Sequence, residues 1–310
     1  SAPSLLSSLA LTRDPRGQIT GVEREVPLSG VPLPVLRAWS YDPANQIESF
    51  DYDAMGRLVS DGVRSYTWDL ASRLVDRESE AGTVSYTHDG LGNLLTRTEA
   101  GETLGFVWNY ALGLPSPSVL REGGDDARYF VHTPAGALLH WVDSADARTF
   151  FHFDQVGSTL FLTDEGGGVT DTYTYSPQGE TLGRTGTSEN PYTWHGRWGA
   201  WEDGGVYCRR SRWYDPVSAR FLSRDPRPGR DPVHINPYQA LSGDPLTRVD
   251  PMGTWDGPAG ADTEARVPSG WADRGGTDGG GHWRNGSSDA HRGTDGGGWL
   301  RGTNGGEDWR

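Results

Sequence analysis

The nine residues from Tyr86 to Leu94, YTHDGLGNL, contain the pattern that decides the fold. An aromatic residue precedes an Asp, a Gly lies three positions after the Asp, and an aliphatic residue follows two positions later. Asp opens a turn through its own side-chain hydrogen bonds, and Gly at the third position adopts the positive φ that such a turn requires. The aliphatic residue then begins the return strand. The stretch therefore predicts the turn of a β-hairpin.

The same pattern recurs along the chain up to about residue 180. Its other copies are Asp14/Gly17/Ile19, Asp42/Asn45/Ile47, Asp53/Gly56/Leu58, Asp69/Ser72/Leu74 and the looser Asp154/Gly157/Thr159. Between the turns, polar and apolar residues alternate, which is typical of strands with one buried face. No convincing amphipathic helix exceeds two turns. Because the repeat has a hairpin period, the sequence predicts an all-β fold of consecutive antiparallel hairpins.

Aromatic residues accompany most of these repeats, and two roles fit them. Tyr41, Tyr52, Tyr66, Tyr86 and Phe153 each lie one to three residues before a turn Asp. Aromatic residues at period two favour cross-strand packing on one face of the sheet. The alternative is an exposed aromatic row that binds sugars.

Composition and charge exclude several classes of function. The chain has 310 residues, a formal net charge of −14 and no Lys, which argues against nucleic acid or an anionic membrane as the main partner. A single cysteine, Cys208, excludes an intrachain disulfide, and its alternating surroundings favour a strand residue over a nucleophile. No apolar run is long enough to span a bilayer. The eight histidines lack metal-ligand spacing, and no phosphate-binding loop is present, so we expect no metal and no cofactor.

Two Asp-Pro elements lie near an abrupt change in composition. Arg212–Pro226 reads RWYDPVSARFLSRDP, and Val249–Gly253 reads VDPMG. Beyond them the chain consists largely of Gly, Asp, Trp and Arg. Two carboxylates at such a boundary suggest a chain that cuts itself there. The alternative is structural, because Asp before Pro commonly starts a turn, and the chain has further Asp-Pro pairs at Asp14, Asp42, Asp215, Asp231 and Asp244.

The sequence predicts three regions. Residues 1–144 form the repeat ribbon, residues 145–253 form a unit denser in aromatics, Gly and Pro that continues the sheet, and residues 254–310 form a low-complexity tail. The tail cannot bury enough apolar surface to offset its ordering entropy, so we expect it to be disordered.

The second region resembles a known family. The matching stretches are FHFDQVGST, YTYSPQGE, NPYTWHGR, GVYCRRSRWYDP, ARFLSRDP and NPYQALSGDPLTRVDPMG. They resemble the Rhs repeat-associated core domain, and the preceding repeats resemble YD repeats. This family includes bacterial polymorphic-toxin Rhs proteins and the C components of insecticidal toxin complexes. The resemblance implies a β-ribbon that spirals into a hollow shell around a C-terminal effector, plugged at one end by the core domain.

The resemblance also implies self-cleavage and assigns residues to it. Asp225 and Asp250 match the two aspartates of an aspartic-protease-like pair, and Arg212 matches an arginine that cleavage requires. Asp215, in the neighbouring YDP, is a fourth candidate. Peptide hydrolysis by two carboxyl groups needs one charged and one protonated, which close approach of like charges produces. Arg212 is suited to orient a carboxylate or to hold the oxyanion.

The implied scissile bond is Thr254–Trp255, because the family cuts one residue past its DPxG motif. The chain departs from the family pattern at several positions. Thr254 replaces an aliphatic residue, and Ala219 stands where Gly is usual. Ser176 replaces a turn Asp, and Gly243 stands where Asn is common.

Partners and location follow only from the resemblance. It implies that the chain holds its own C-terminal effector segment, with further shell chain and a secretion or toxin-complex component as other partners. The expected location is the bacterial cell surface or exterior. Two alternatives stay open: a non-catalytic adhesion module that binds glycans, and an orphan fragment of a longer shell protein. The start of the chain, SAPSLLSSLALTR, reads as the cut end of a longer chain.

Overall fold

The computed structural model describes residues 7–15, 19–28, 31–32, 37–227, 236–254 and 256–259. Gly17 and Asp231 lie outside the described residues, as does Trp255 of the expected scissile bond. The tail beyond residue 259 also lies outside them, so the expectation of a disordered tail is not tested.

The described residues form strands, and from β3 to β16 short turns join most of them. Two 3-10 helices interrupt them, Gly196–Trp198 and Leu241–Gly243. The strands are β1 (Ser8–Arg13), β2 (Ile19–Glu25), β3 (Asp51–Tyr52), β4 (Leu58–Ser60), β5 (Ser65–Trp68), β6 (Leu74–Ser79), β7 (Gly82–His88), β8 (Leu94–Glu99), β9 (Glu102–Asn109), β10 (Ser116–Glu122), β11 (Asp125–His132), β12 (Leu138–Asp143), β13 (Arg148–Phe153), β14 (Thr159–Thr163), β15 (Val169–Tyr175), β16 (Thr181–Thr185), β17 (Trp201–Asp203), β18 (Val206–Arg209), β19 (Arg212–Asp215), β20 (Arg220–Phe221), β21 (Arg248–Val249) and β22 (Gly257–Pro258).

One sheet contains 14 of these strands in strict sequence order, from β3 to β16. Each strand pairs antiparallel with the next, as the β7–β8 and β14–β15 ladders illustrate. The predicted all-β fold of consecutive antiparallel hairpins is therefore confirmed. β3 and β16 are the two edges of this sheet, and β17 to β20 form a separate four-stranded antiparallel sheet.

The turns have the hydrogen bonds that the repeat predicts. Asp89 accepts the amides of Leu91 and Asn93 on Oδ1, at 2.8 and 2.9 Å. Gly92 donates its amide to the Asp89 carbonyl oxygen and has φ 88°. Residues with positive φ occupy the same position in the other described copies: Asn45, Gly56, Ser72 and Gly157. Ser176, which replaces the usual Asp, accepts the Glu180 amide on its hydroxyl at 3.0 Å and closes an equivalent turn.

The main core lies between the long sheet and one face of the four-stranded sheet. Tyr86 of β7 packs against Trp213 of β19 with ring centroids 4.9 Å apart, and Phe106 of β9 packs against Trp201 of β17 at 4.6 Å. Other inward residues of the long sheet join this cluster: Tyr66, Leu74, Val84, Leu94, Leu120, Phe130, Leu138 and Leu162. These aromatic rings are buried packing residues, whereas Tyr41, at the first described copy of the repeat with an aromatic residue, is 49% exposed.

The opposite face of the four-stranded sheet is also covered. Tyr207, Tyr214 and Phe221 pack there with Trp194 and with Leu241. All residues of β18, β19 and β20 are buried, so the polar side chains on these strands are held where water does not reach them freely. The candidate site is built on this second face.

Candidate functional site

Arg212 is the centre of the site and is placed by β19. Successive residues of a strand point to opposite faces, so Arg212 and Tyr214 share one face while Trp213 and Asp215 share the other. The Arg212 side chain is 3% exposed, and its guanidinium lies over the Phe221 ring at 3.6 Å. Burial lowers the pKa of Arg212, and the nearby carboxylates oppose that shift. The cation is therefore fixed in a desolvated position, where its partners matter most.

The structure brings Asp225 and Asp250 to the same nitrogen of Arg212. Nη2 lies 3.0 Å from Oδ2 of Asp225 and 3.9 Å from Oδ2 of Asp250. The Asp225 side chain is 26% exposed, whereas that of Asp250 is 3% exposed. One carboxyl is thus partly open to solvent and the other is enclosed, and the structure brings them together although 25 residues of sequence separate them.

Asp250 begins a short loop that contains the expected cut. β21 and β22 pair so that Val249 opposes Gly257, and seven residues lie between them in sequence, of which the structure describes 250–254 and 256. The Thr254 amide donates to Oδ1 of Asp250 at 3.2 Å. The loop therefore folds back on the carboxyl of its own first residue.

Four consecutive residues at the turn between β18 and β19 hold four consecutive carbonyl oxygens of this loop. Arg209 Nη1 donates to the Asp250 carbonyl at 3.1 Å, and Arg210 Nη1 donates to the Pro251 carbonyl at 2.6 Å. The Ser211 hydroxyl donates to the Met252 carbonyl, and Arg212 Nε donates to the Gly253 carbonyl. These donors fix the loop in register along its whole first half.

Gly253 is required by this close approach. Its φ is 71°, and a Cβ at this position would lie 2.6 Å from the Arg209 carbonyl oxygen. Because the obstacle is backbone, a side chain cannot be accommodated by a rotamer change. The Gly of the VDPMG motif thus lets the loop lie against the β18–β19 turn.

Arg209 and His195 form a buried pair behind the loop. Arg209 Nη2 lies 2.9 Å from His195 Nδ1, and burial together with the charge of Arg209 holds the pKa of His195 well below its usual range. Burial lowers the pKa of Arg209 and lowers that of Arg210 to about 10. The Arg209 guanidinium also stacks over Trp194 at 4.7 Å. This pair anchors the donor that binds the Asp250 carbonyl.

Asp215 is not brought to Arg212. It lies on the opposite face of β19, where Oδ1 accepts Arg64 Nη2 at 3.2 Å and Oδ2 accepts the Ser218 hydroxyl at 2.6 Å. These bonds join β19 to the long sheet and to the turn that follows β19. Sequence proximity suggested a shared site, but strand alternation separates the two side chains.

We also searched the described residues for a metal site, a membrane-spanning helix and a reactive thiol. They contain no group of three His, Cys, Asp or Glu residues able to hold a metal ion, and no helix long and apolar enough to cross a membrane. Cys208 is buried in β18, which raises the pKa of its thiol to about 12. A thiol that stays protonated is a poor nucleophile, in agreement with its predicted place in a strand.

Comparison with known proteins identifies the family. Residues 39–246 match the family model described as the teneurin YD-shell, which covers more than half of the chain. The chain belongs to the YD-shell family. The resemblance to Rhs and YD-repeat shells inferred from the sequence is thereby confirmed.

Curated relatives of this YD-shell chain are large proteins. The tRNA3(Ser)-specific nuclease WapA of Bacillus spizizenii is 29% identical over 232 residues, which is 70% of this chain and 10% of WapA. The double-stranded DNA deaminase toxin A of Burkholderia cenocepacia is 29% identical over 249 residues, 68% of this chain and 16% of the toxin. The YD-shell chain thus spans about a tenth to a sixth of the length of these relatives.

Solved structures share the fold. The crystal structure of TcdB2-TccC3 without its hypervariable C-terminal region matches with a TM-score of 0.55 at 17% identity, over 80% of this chain and 13% of that one. The Photorhabdus luminescens Tc holotoxin pore matches with a TM-score of 0.53 at 19% identity, over the same shares of the two chains. At this identity the likeness shows the architecture alone.

Proposed function

We propose that this chain is the C-terminal part of a toxin-enclosing YD-repeat shell and that it cleaves itself between Thr254 and Trp255. One observation carries the proposal. The buried guanidinium of Arg212 contacts Asp225 and Asp250 and also binds the carbonyl oxygen of Gly253, one residue before the proposed cut. Carboxyl groups and substrate backbone therefore share one cation.

The names of similar proteins support the proposed role as a toxin shell. Proteins similar to this chain are named as a nuclease and as a deaminase toxin, and one similar complex was solved without a hypervariable C-terminal region. By analogy, residues 1–144 are the ribbon, residues 145–253 are the core domain, and residues 254–310 occupy the effector position. The partners are the chain's own tail, further shell and a delivery component, and the site of action is outside the producing cell.

The proposed reaction is hydrolysis with balanced proton transfers. Asp225, the more exposed of the two carboxylates, takes a proton from water, and the water oxygen bonds to the carbonyl carbon of Thr254. Asp250, protonated, gives its proton to the carbonyl oxygen. The resulting tetrahedral carbon of Thr254 carries two hydroxyl groups. When its C–N bond breaks, Asp225 gives its proton to the nitrogen of Trp255. One of the two hydroxyl groups gives its proton to Asp250, which leaves a carboxyl group on Thr254. Both carboxyls end as they began.

The proposed division of roles follows the exposure of the two carboxyl groups. Hydrolysis by a carboxyl pair requires one charged and one protonated member, and close approach of two like charges favours a shared proton. We assign the proton to Asp250, the more buried of the two, and the exchange with water to Asp225. Arg212 orients the pair and fixes the strand before the bond.

The loop explains why the reaction is intramolecular. The bond lies within the seven residues that β21 and β22 close, so the acting groups and their substrate are held together by the fold. Such positioning supplies a high effective concentration. Cleavage should therefore be first order, and the fraction cut should not change when the protein is diluted.

The test is a set of matched aspartate variants. D225N and D250N should each slow the cut by about a thousandfold, since each loses a proton-transfer group. D244N is the control, because Asp244 also precedes a proline in the same segment but is exposed. The readout is the intact mass of each full-length protein over time, with circular dichroism to confirm folding. Cleavage of D225N and D250N at the rate of D244N would contradict the proposal.

A further inference from the structure

The chain just beyond the proposed cut is bound to the segment just before it. β22 pairs antiparallel with β21. The Ala259 amide donates to the Thr247 carbonyl oxygen at 2.6 Å and extends the ladder by one bond. The residues on the product side are thus held by backbone hydrogen bonds that do not pass through the scissile bond.

Asp256, the second residue after that bond, has its own binding site. The Ser242 hydroxyl donates to its Oδ2 at 2.9 Å, and Arg248 Nε donates to the same oxygen. Arg248 Nη2 also donates to the Asp256 carbonyl at 3.3 Å. The Asp256 side chain is 9% exposed, so the carboxylate is largely removed from water and compensated by a charged partner.

The backbone that presents Ser242 is strained. Leu241 and Ser242 both have left-handed conformations, with φ of 55° and 50°. Such conformations are costly for residues other than Gly, and a pair of them persists only where surrounding contacts require it. Here the conformation places the Ser242 hydroxyl on Asp256.

The segment that follows the proposed cut also packs into the buried core. Ala259 is 7% exposed and packs in a cluster with Val249, Trp198 and Leu114. Val249 of β21 is fully buried in the same cluster. The segment beyond the cut is therefore anchored at three levels, by a carboxylate, by a backbone ladder and by a small apolar side chain.

We infer that Ser242, Arg248 and β21 form a product-side clamp that selects an acidic residue at the second position after the cut. The inference rests on the proposed function, which supplies the cut itself. The clamp has one role before cleavage and another after it. Before cleavage it fixes the far end of the loop, so that the bond lies between two anchored segments. After cleavage it keeps the new N-terminal end of the tail bound to the body of the chain.

The clamp is tested first without any cleavage. The D225N chain, which should stay whole, is compared with D225N/R248A and D225N/D256A by amide hydrogen exchange resolved to single residues. The Ala259 amide should exchange about tenfold faster or more in both double variants, because each loses a charged hydrogen bond that supports the ladder. D225N/R148A is the matched control, since Arg148 forms an exposed ion pair with Glu165, away from the clamp.

The second test uses chains with an intact cleavage site. R248A and D256A should each slow the cut about tenfold, and combining them should add little, since both remove one interaction. Once cut, their tails should separate from the body in gel filtration, whereas the tail of R148A should elute with it. Substituting Asp256 by Asn should give an intermediate loss of retention.

The outcomes separate the clamp from the cut. If the chain never cleaves but Ala259 exchange still depends on Arg248, the clamp stands and the proposed function falls. If the chain cleaves, and R248A and D256A match R148A in rate, retention and exchange, the clamp is overturned. Additive rate effects in the double variant would also contradict it, because they would show that Arg248 and Asp256 act independently.

Discussion

A single glycine shows how closely the residues of the site are fitted. Gly253 lies against the Arg209 carbonyl with no room for a Cβ, and its own carbonyl receives the Arg212 guanidinium. Family motifs in the sequence indicate Arg212, Asp225 and Asp250, and the structure brings these three side chains together. The motifs do not indicate Arg209, Arg210 or Ser211, because a basic run at a strand turn does not show which distant carbonyl oxygens it binds.

The G253A variant should therefore lose the cut while the fold survives. A methyl group would push the loop off the β18–β19 turn and shift the scissile bond, so we expect cleavage to slow by about a hundredfold or more. G62A is the control, because Gly62 has a similar φ of 84° but nothing within 4 Å of an added Cβ. Intact mass over time gives the rate. Equal rates for the two variants would show that the close approach is unimportant.

At the scale of elements, turns are predictable because their causes are local. In the copies from Asp42 onward, the turn Asp accepts amides two and four residues ahead, so the sequence contains both partners. The structure adds a link that the sequence does not reveal: Arg57 bonds to Asp53 of its own turn and also to the carbonyl of Asp69 in the next turn, at 2.6 Å. Arg73 repeats this with Asp89 at 3.2 Å. Successive hairpins are thus joined along one rim of the sheet.

The D69A variant tests the turn. It removes the acceptor of two amides, at 2.8 and 2.9 Å, and the partner of Arg73. We expect a loss of about 1–2 kcal/mol in the free energy of unfolding, comparable with loss of a helix cap. D125A, at an exposed strand residue, is the control and should change little. Urea denaturation measures both. A D69A midpoint equal to that of D125A would contradict the assigned role.

At the scale of the whole molecule, the sequence predicted the ribbon but not its packing. Alternation showed that the strands have one buried face, yet nothing in the pattern indicated that β17 to β20 cover it. That arrangement depends on pairs such as Tyr86 and Trp213, far apart in sequence. The division at residues 144 and 145 stays a prediction, and the long sheet continues across it to Thr185.

Two half-buried histidines, His88 and His132, make the fold sensitive to acid. The pKa values of His88 and His132 are lowered to about 4, mainly by burial, with Arg73 near the first and Arg210 near the second. The unfolded chain binds these protons near pH 6.5, whereas the folded chain does not until about pH 4. Their contribution to stability is therefore complete above pH 6.5 and is lost as the pH falls from 6.5 to 4.

We expect the urea midpoint to fall between pH 7 and pH 5, with a loss of about 1 kcal/mol per histidine at pH 5, because solvent reaches these half-buried rings and screens part of the effect. Replacing His88 by Gln should flatten this dependence, although the variant is less stable at pH 7. H140Q is the control, because His140 lies at the surface side of β12 and its pKa is lowered less. A midpoint that does not change over this range would contradict this expectation, because it would show that the folded chain binds these protons at the same pH as the unfolded chain.

The intact mass of the purified wild-type chain, with the N-terminus of each product determined, tests the central claim most directly. The account predicts two polypeptides, residues 1–254 and residues 255–310, with a new N-terminus at Trp255. A single polypeptide of 33.8 kDa that persists under native conditions, or a cut at any other bond, would contradict it.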